Sequence, residues 1–191
     1  MKIGILALQG DFHEHQVCFN RLKVKTQLVR SISDLDQCDA LVIPGGESTT
    51  ISKLLKISKL DREIITKSKN GMPLWGTCAG LILISNNIIE GDPHPLQLID
   101  LKTSRNFYGR QIDSFVEKIS LLNDKDEFEA IFIRAPKIME IGKNIDILAF
   151  SNDNSPVAVQ SKNILGTTFH PELTDDLRIH KHFIEMGNNK N

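Results

Sequence analysis

The first half of the chain alternates short apolar runs with segments of helical periodicity. Each apolar run is short enough for a strand and has the composition of one buried on both faces. Buried strands that alternate with helices form parallel sheets covered by helices on both faces. The pattern therefore predicts an α/β fold. The predicted strands are residues 2–8, 26–30, 39–43 and 73–76, and the predicted helices are 12–22, 49–57 and 61–69.

The second half of the chain is richer in strand-like runs and has few helical segments between them. We expect it to add antiparallel strands to the mostly parallel sheet. Residues 161–163 are typical of a hairpin turn, and Thr174 is a candidate N-cap for a last helix over 175–186. The polar residues 187–191 are expected to fray. The predicted strands are 96–105, 114–122, 129–134, 145–150, 157–160 and 164–169.

The length and charge of the chain limit its domain organisation and its partners. Its 191 residues suffice for one sizeable core, so we expect a single domain over residues 1–191. The 23 basic and 24 acidic residues are balanced, which gives no electrostatic footprint for nucleic acid or an anionic membrane. The first apolar run ends at Leu8, too short for a signal or a membrane span, so we expect a cytoplasmic protein. The three widely spaced cysteines predict no disulfide framework.

One cysteine lies between glycines, in the sequence Gly76-Thr77-Cys78-Ala79-Gly80, directly after a predicted strand. This arrangement matches a nucleophile elbow, a turn too tight for side chains at its flanking positions. Cys78 would then project from the carboxyl end of the sheet, at the N-terminus of a helix that begins near Ala79, where the helix dipole favours a thiolate. The alternative is that Cys78 only packs in the core, since free cysteine is among the most buried residue types.

A glycine pair follows the predicted strand 39–43, in the sequence PGGEST. Glycines leave the backbone free to bend and to direct N–H groups outward. If this loop lies beside Cys78, the backbone N–H groups of Gly46 and Ala79 form an oxyanion hole. The alternative is that the glycines only turn the chain and that Ser48 or Thr49 caps a helix. The two interpretations are compatible.

A histidine and a glutamate two residues apart follow the strand predicted for 164–169. Pro171 favours an extended conformation at His170, and residues two apart in extended chain share a side. Glu172 can therefore reach one imidazole nitrogen and leave the other facing a thiol, which is the arrangement of nucleophile, base and orienting acid. A lone histidine is more often structural, but together with Cys78 this pair predicts a catalytic triad.

Four further histidines form two pairs, each with its members two residues apart on a predicted helix. Such residues do not share a helix face, so neither pair predicts a metal site. The sequence also has no cysteine pair and no H-E-x-x-H motif, so we expect no metal. Two other cysteines are interpreted as packing residues and the tryptophan as core beneath the elbow. The residues given these structural interpretations are His13, His15, His180, His182, Cys18, Cys38 and Trp75.

Six segments that include these motifs follow one another along nearly the whole chain: IGILALQGDFHEH, ALVIPGGESTTISKLL, GTCAGLILIS, RNFYGRQIDSF, FIRAP and TTFHPELTDD. In this order and at this approximate spacing they resemble the class I, triad-type glutamine amidotransferases. More narrowly, they are similar to the glutaminase subunits of pyridoxal 5'-phosphate synthases. The resemblance implies a three-layer αβα, flavodoxin-like fold with a mixed, mostly parallel central sheet and added antiparallel strands.

The resemblance also implies a reaction and a set of roles. Cys78 would attack the side-chain amide of L-glutamine and form a thioester, with His170 and Glu172 as its relay, and L-glutamate and ammonia would be released. The implied substrate contacts are Gly46, Glu47, Ser48, Arg105, Ile133 and Arg134. Guanidinium groups can hold the α-carboxylate of glutamine in a two-bond fork, and a carboxylate can bind its α-ammonium. The implied roles of Arg105, Arg134 and Glu47 are therefore also reasonable on chemical grounds.

A partner is implied as well, the ring-forming synthase subunit, a (β/α)8 barrel that would use the ammonia to make pyridoxal 5'-phosphate. The glutaminase step itself needs no cofactor. The resemblance implies low activity of the isolated chain, with docking near the turn Leu8-Gln9-Gly10 completing the oxyanion hole.

Three alternatives stay open from the sequence. The chain could be a triad glutaminase that serves a different synthase. It could be a non-catalytic, redox-sensing α/β protein in which Cys78 is oxidised rather than acylated. A cysteine peptidase or acyl hydrolase is the third, disfavoured because arginines suit a small amino acid better than an extended peptide.

Overall fold

The structure is a computed structural model that describes residues 1–105, 114–121, 124 and 126–188. The strands in these residues are β1 (Lys2–Leu6), β2 (Lys25–Val29), β3 (Ala40–Ile43), β4 (Leu74–Thr77), β5 (Ser85–Ile88), β6 (Ile99–Ser104), β7 (Ser114–Ser120), β8 (Glu127–Ile133), β9 (Lys137–Ile141), β10 (Asp146–Phe150), β11 (Pro156–Ser161) and β12 (Ile164–Thr167). The helices are α1 (Phe12–Arg21), α2 (Ile32–Leu35), α3 (Ser48–Ser58), α4 (Leu60–Lys69), α5 (Ala79–Ile84) and α6 (Arg178–Asn188), with a 3-10 turn at Pro171–Leu173. In the described part of the chain, each helix is too short or too polar to cross a membrane.

The central sheet has seven strands in the order β10-β11-β12-β4-β3-β1-β2 among the described residues. Neighbours from β12 to β2 are parallel, and β11 runs antiparallel to β10 and to β12. The four strands β1 to β4 come from the alternating first half, as predicted, because parallel neighbours need a crossover connection. The hairpin predicted at 161–163 joins β11 to β12, with Lys162 at a left-handed φ of 49°.

Alternate side chains of the central strands enter two different cores. Leu41 and Ile43 of β3 pack with residues of α2, α3, α4 and α5, whereas Ala40 and Val42 pack with residues of α1, α6 and the β7–β8 pair. Burying one such leucine or isoleucine contributes about 1.5–3 kcal/mol. The three-layer αβα arrangement is therefore confirmed, with a β-hairpin sharing one of the outer layers.

The added strands of the second half are distributed over more than the central sheet. Strands β5, β6 and β9 form a separate three-stranded sheet, and β7 pairs with β8 alone. Strands β5 and β9 were not predicted, because both carry polar or exposed residues where a buried strand would be apolar. In β5, for example, Asn86 and Asn87 are exposed between the buried Ser85 and Ile88.

The last helix begins and ends later than the sequence predicts. Thr174 is not its N-cap: the Thr174 hydroxyl accepts from the N–H of Asp176 at 3.3 Å, and Asp176 in turn accepts from the N–H of Arg178 at 2.9 Å. A polar turn therefore precedes α6, which runs to Asn188. Residues 187 and 188 of the tail belong to α6, and the fraying predicted for 187–191 stays a prediction. Residues 189–191 lie outside the described residues, as does residue 122 of the predicted strand 114–122.

Candidate active site

Cys78 lies in a sharp turn between β4 and α5, as predicted, with a backbone (φ 48°, ψ −105°) that non-glycine residues rarely adopt. The flanking glycines are required by close approach. A Cβ at Gly80 would overlap the carbonyl oxygen of Ile43 at the end of β3, and one at Gly76 would lie 2.6 Å from the carbonyl carbon of Gly80. Any larger residue at either position would push the turn away from the sheet. The elbow therefore holds the thiol, 6% exposed, at the carboxyl end of the parallel strands.

His170 and Glu172 follow β12 and are both buried. The imidazole Nδ1 donates to Oε1 of Glu172 at 2.8 Å, and the backbone N–H of His170 donates to the carbonyl of Ile131 at 2.8 Å. With Nδ1 engaged, Nε2 remains for the thiol of Cys78, with which the imidazole interacts. Glu172 reaches the ring from a 3-10 turn rather than from extended chain, so the predicted contact is present but its predicted backbone geometry is wrong.

The charges of these groups follow from burial and hydrogen bonding. Burial lowers the pKa of His170, but its hydrogen bonds with Cys78 and Glu172 outweigh burial and raise that pKa to about 11. Burial raises the pKa of the Glu172 carboxyl, and the hydrogen bond to His170 opposes this shift. His170 is therefore an imidazolium at neutral pH. An imidazolium stabilises a neighbouring thiolate and can donate a proton to a leaving group.

A second carboxylate, which the sequence analysis did not single out, faces the same histidine. Oδ2 of Asp11 lies 3.5 Å from Nδ1 of His170, and the Asp11 backbone N–H donates to the carbonyl of Gly45 at 3.1 Å. Burial raises the pKa of Asp11, while His170 lowers it. The signal available in the sequence was its place: Asp11 follows Gly10 just beyond a parallel strand, at the sheet edge where sites form.

Asp11, His170 and Glu172 bring potential metal-ligand atoms within 4.8 Å of one another. Two of those atoms, Nδ1 of His170 and Oε1 of Glu172, are already joined by the 2.8 Å hydrogen bond. A metal there would have to displace the contact that orients the imidazole. The sequence-based expectation of no metal stays a prediction.

The Gly45–Gly46 loop after β3 lies beside the imidazole. A Cβ at Gly45 would overlap Cε1 of His170, so the loop can approach the ring only because residue 45 is glycine. The turn after β1 holds the loop from the other side, since Oε1 of Gln9 accepts from the backbone N–H of Glu47 at 2.8 Å. The loop is thus fixed between the histidine and the β1 turn.

The triad opens into a cavity of about 410 Å³, a volume in the range of small-molecule sites. Each predicted oxyanion and substrate-binding residue lines this cavity, and Glu172 lies behind His170, outside the lining. Ala79 begins α5, whose first N–H groups have no partner within the helix. The lining residues are Gln9, Gly10, Asp11, Gly46, Glu47, Ser48, Cys78, Ala79, Ile82, Arg105, Ile133, Arg134, His170 and Leu173.

Glu47 has a structural role that the sequence analysis assigned to its neighbours. Its carboxylate accepts from the backbone N–H groups of Thr49 at 3.0 Å and Thr50 at 2.6 Å, so Glu47 is the N-cap of α3 and the prediction of Ser48 or Thr49 is wrong. Burial raises the pKa of Glu47, but the hydrogen bonds from Thr50 and Thr49 together outweigh burial and lower it to about 2. Glu47 therefore carries a fixed negative charge at the cavity wall.

The two arginines of the cavity are held differently. Arg105 donates to the carbonyl of Asp92 at 2.6 Å and to the Glu47 carboxylate at 3.3 Å, so its guanidinium is anchored. Arg134 is exposed and has a left-handed φ of 42° just after β8, and the carbonyl of Ile133 before it lies 3.8 Å from the elbow sulfur. Residues 106–113, which complete the segment RNFYGRQIDSF up to Ser114, lie outside the described residues.

The other two cysteines pack, as predicted. Sγ of Cys18 lies 3.7 Å from the carbonyl oxygen of Glu172, and Sγ of Cys38 lies 3.2 Å from that of Asp34. Burial raises the pKa of both thiols to about 11, which keeps them protonated at neutral pH. Trp75 is completely buried beneath the elbow, which confirms its predicted place.

Two histidines interpreted as structural lie directly behind the triad. His15 of α1 and His180 of α6 are completely buried; Nε2 of His15 lies 3.4 Å from Oε2 of Glu172, and Nδ1 lies 3.2 Å from Nε2 of His180. Burial lowers the pKa of both, that of His180 to about 3, so both are uncharged at neutral pH. The sequence did contain a signal for His15, since Phe12, His15 and Phe19 share one helix face.

This fold is that of a glutamine amidotransferase, and the chain belongs to the SNO glutamine amidotransferase family, whose family model matches residues 5–189. Two relatives carry the same name. A protein of Thermosipho africanus named pyridoxal 5'-phosphate synthase subunit PdxT is 47% identical, with 97% of this chain and 98% of the relative covered. Another of that name from Dictyoglomus turgidum is 50% identical, with 97% and 98% covered.

A solved structure agrees with these relatives. A crystal structure described as a glutamine amidotransferase superimposes with a TM-score of 0.92 at 37% identity, covering 97% of this chain and 98% of that one. The resemblance to glutaminase subunits of pyridoxal 5'-phosphate synthases that the sequence analysis found is confirmed by the relatives, and the predicted fold class is confirmed by the solved structure.

Proposed function

We propose that the chain is the glutaminase subunit of a pyridoxal 5'-phosphate synthase and hydrolyses L-glutamine to L-glutamate and ammonia. The observation that carries the proposal is the 2.8 Å contact between Glu172 and His170, whose imidazolium interacts with Cys78 at the wall of a cavity of about 410 Å³. Family membership and the relatives' names support the same reaction. In this proposal residues 1–191 act as one glutaminase domain in the cytoplasm.

The reaction begins with attack of the Cys78 thiolate on the side-chain amide carbon of glutamine. The resulting oxyanion is held by the backbone N–H groups of Gly46 and Ala79, and losing one such donor typically costs about 100- to 1000-fold in rate. The imidazolium of His170 donates its Nε2 proton to the nitrogen, the C–N bond breaks, and ammonia leaves. The neutral His170 then takes a proton from water, which attacks the thioester and releases glutamate and the thiolate.

Glutamine is oriented by the charged residues of the cavity wall. Arg105 and Arg134 hold its α-carboxylate, and Glu47 holds its α-ammonium, while Ser48 and the backbone at Ile133 line the remaining space. Because Glu47 is already bound by the start of α3 and Arg105 by the carbonyl of Asp92, both charges stay in place without substrate. Such preorganisation lowers the entropic cost of binding.

Ammonia made in this cavity is useful only if it passes on before protonation in bulk water. We propose that its acceptor is the ring-forming synthase subunit, a (β/α)8 barrel, and that neither nucleic acid nor a membrane takes part. The turn at Gln9 and Gly10, which holds the glycine loop, is the proposed contact region through which docking completes the oxyanion hole. Glutamine turnover is expected to rise when the partner is added, and unchanged turnover would contradict this part of the proposal.

The decisive test compares the wild type with Cys78→Ala in glutamate release, with the partner present. The variant is expected to lose the activity, while Cys38→Ala, which changes a packing cysteine that does not line the cavity, retains it. Mass spectrometry after treatment with diazo-oxonorleucine is expected to find one adduct, at Cys78. Glutamate release by Cys78→Ala at the wild-type rate would end the proposal. A sulfenic acid at Cys78 without any glutamine-dependent labelling would favour the redox-sensing alternative.

A further inference from the structure

The carboxylate of Glu172 has two oxygens, and the proposed mechanism uses only one. Oε1 accepts from His170, whereas Oε2 is buried and has no hydrogen bond of ordinary geometry. The imidazole Nε2 of His15 lies 3.4 Å from this second oxygen and 3.3 Å from the hydroxyl of Thr77. A buried carboxylate oxygen without a donor is costly, and the imidazole of His15 is the group placed to donate to it.

His15 is itself held by a second buried histidine. Its Nδ1 lies 3.2 Å from Nε2 of His180, and the two rings are enclosed by aromatic side chains. Trp75 packs at 5.2 Å from His15 and at 4.9 Å from His180, and Phe19 packs at 5.0 Å from His180, measured between ring centres. These contacts exclude water and leave each imidazole little freedom to turn.

The direction of the hydrogen bonds along this chain follows from donor and acceptor chemistry. The ionised carboxylate of Glu172 can only accept, so a hydrogen bond between His15 and Oε2 requires the proton on Nε2, and the Thr77 hydroxyl beside Nε2 can then accept as well. A neutral imidazole has one N–H, so Nδ1 of His15 is an acceptor and His180 must donate from Nε2. This leaves Nδ1 of His180 as a bare lone pair, which agrees with its lack of a hydrogen-bond partner.

The opposite pair of tautomers would create two unfavourable groups, one on each ring. The lone pair of His15 Nε2 would face the carboxylate of Glu172, and Nδ1 of His180 would become a buried N–H without an acceptor. Buried N–H groups without a partner are rarer in proteins than buried acceptors without one. The two rings therefore have one favoured pair of tautomers.

We infer that His15 is a positioning residue for the glutaminase reaction: its Nε2–H, in the tautomer fixed by His180, holds Oε2 of Glu172 and so keeps Oε1 turned toward His170. This inference rests on the proposed function and extends it to residues outside the cavity. His15 touches neither substrate nor thiol, and acts only through Glu172. The relay then runs from His180 through His15, Glu172 and His170 to Cys78.

The charged and titratable groups around this relay are consistent with an uncharged His15. Glu172 faces the imidazolium of His170 and, through it, the carboxylate of Asp11. His15 faces Glu172 and His180, and His180 is subject to the positive charge of Arg21, which disfavours protonation of His180. A proton added to His15 would meet the positive charge of His170 one carboxylate away.

The test compares two amides at position 15 in the full-length chain with its synthase partner. A glutamine amide N–H can occupy the place of His Nε2, whereas an asparagine amide is one methylene shorter and reaches only the place of Nδ1. His15→Asn is expected to lower kcat about 10- to 100-fold, as loss of outer hydrogen-bond partners does at metal sites, with KM near the wild-type value. His15→Gln is expected to restore most of kcat. His13→Asn and His13→Gln, at an exposed position of the same helix, serve as matched controls.

A second readout needs no glutamine turnover. The rate at which iodoacetamide alkylates Cys78, followed by mass spectrometry of its peptide, reports how strongly His170 activates the sulfur. This rate is expected to fall in His15→Asn and to recover in His15→Gln, while the alkylation of Cys38 stays constant. His180→Leu is expected to give a smaller fall of the same kind, because it frees the tautomer of His15 without removing its donor.

The outcomes separate this inference from the proposed function. Equal kcat and equal alkylation rates in wild type, His15→Asn and His15→Gln would overturn the inference while leaving a glutaminase. Equal slowing in both variants would also overturn it, because ring volume rather than the Nε2 donor would then matter. A wild type that forms no glutamate and no diazo-oxonorleucine adduct would sink the proposed function instead, and the alkylation comparison would still decide whether His15 positions Glu172.

Discussion

The two faces of the central sheet carry different kinds of core. The face under α2 to α5 is aliphatic, built from leucine, isoleucine and valine side chains, whereas the face under α1 and α6 is aromatic and includes Trp75, Phe19 and Phe183. The aromatic face also encloses His15 and His180. These two buried histidines therefore lie on the same face as His170 and Glu172.

The two faces support different parts of the site. The aliphatic face supports the turn at Cys78 by contact alone, since Gly80 packs against the backbone of Ile43. The aromatic face supports the charged pair, and a charge in a core requires hydrogen bonds as well as contact. Substitutions on the two faces should therefore have different signatures: stability on the aliphatic face, chemistry on the aromatic face.

The largest expected effect is on the aromatic face. Glu172→Gln keeps the size of the side chain but removes its charge, and the amide cannot accept from His170 and His15 with both of its atoms. By comparison with the orienting acid of a serine protease triad, kcat should fall about 10000-fold with folding retained. Steady-state glutamate release measures it, and Glu140→Gln, an exposed glutamate paired with Lys102, is the control. A kcat within a factor of about 10 of the wild type, little more than 1 kcal/mol, would contradict this role.

The matching substitution on the aliphatic face should lower the stability and leave kcat nearly unchanged. Ile64 of α4 is completely buried there, and Ile64→Ala should lower the free energy of unfolding by about 2–5 kcal/mol, because it leaves a cavity. Ile64→Val should cost only about 0.5–1.5 kcal/mol. Urea denaturation gives these values, and kcat measured well below the transition should stay near that of the wild type. A large loss of kcat in the folded Ile64→Ala variant would remove the distinction between the faces.

A smaller effect is expected from pH. The pKa of His180 is about 3 in the folded chain against 6.5 for an ordinary histidine, so the unfolded state binds more protons between these values. The free energy of unfolding should therefore be complete above about pH 6.5 and fall as the pH drops, by about 2 kcal/mol between pH 6.5 and 5 for this one group. For His170, with its raised pKa, the sign is opposite: its contribution is complete below about pH 6.5 and is lost as the pH rises toward 11.

Urea denaturation at pH 7 and pH 5 measures the loss of stability on acidification that is expected from His180. His180→Gln should lose less stability on acidification than the wild type, and His13→Gln, which changes an exposed histidine, should lose as much as the wild type. An unchanged acid response in His180→Gln would show that the buried imidazole is not kept uncharged by the aromatic face.

The sequence predicted those parts of this molecule that depend on local pattern. The parallel strands β1 to β4 were recognisable as apolar runs between helices, and the elbow at Cys78 was recognisable because close approach leaves only glycine at its flanks. The contact of His170 with Glu172 was predicted because the two residues are neighbours in the chain. Strands β5 and β9 were missed because their exposed polar residues break the apolar pattern.

The layer behind the triad could not be predicted by the same means. His15 and His180 are 165 residues apart, and periodicity within one helix says nothing about which other helix it meets. The capping role of Glu47 was also missed, because Ser48 and Thr49 are the commoner cap residues. The contact of His15 with His180 joins two different helices, and Glu47 competes for the cap position with neighbouring residues that are at least as common there.

The most direct test of the account is an NMR titration of the histidine ring nitrogens in the wild type and in Cys78→Ala. The account predicts that His170 stays doubly protonated from neutral pH to about pH 10, while His15 and His180 remain singly protonated down to pH 5. It also predicts that the pKa of His170 falls in Cys78→Ala, because one of the hydrogen bonds that raise it is removed. A His170 that titrates near 6.5 in both proteins would contradict the imidazolium on which the proposed chemistry depends.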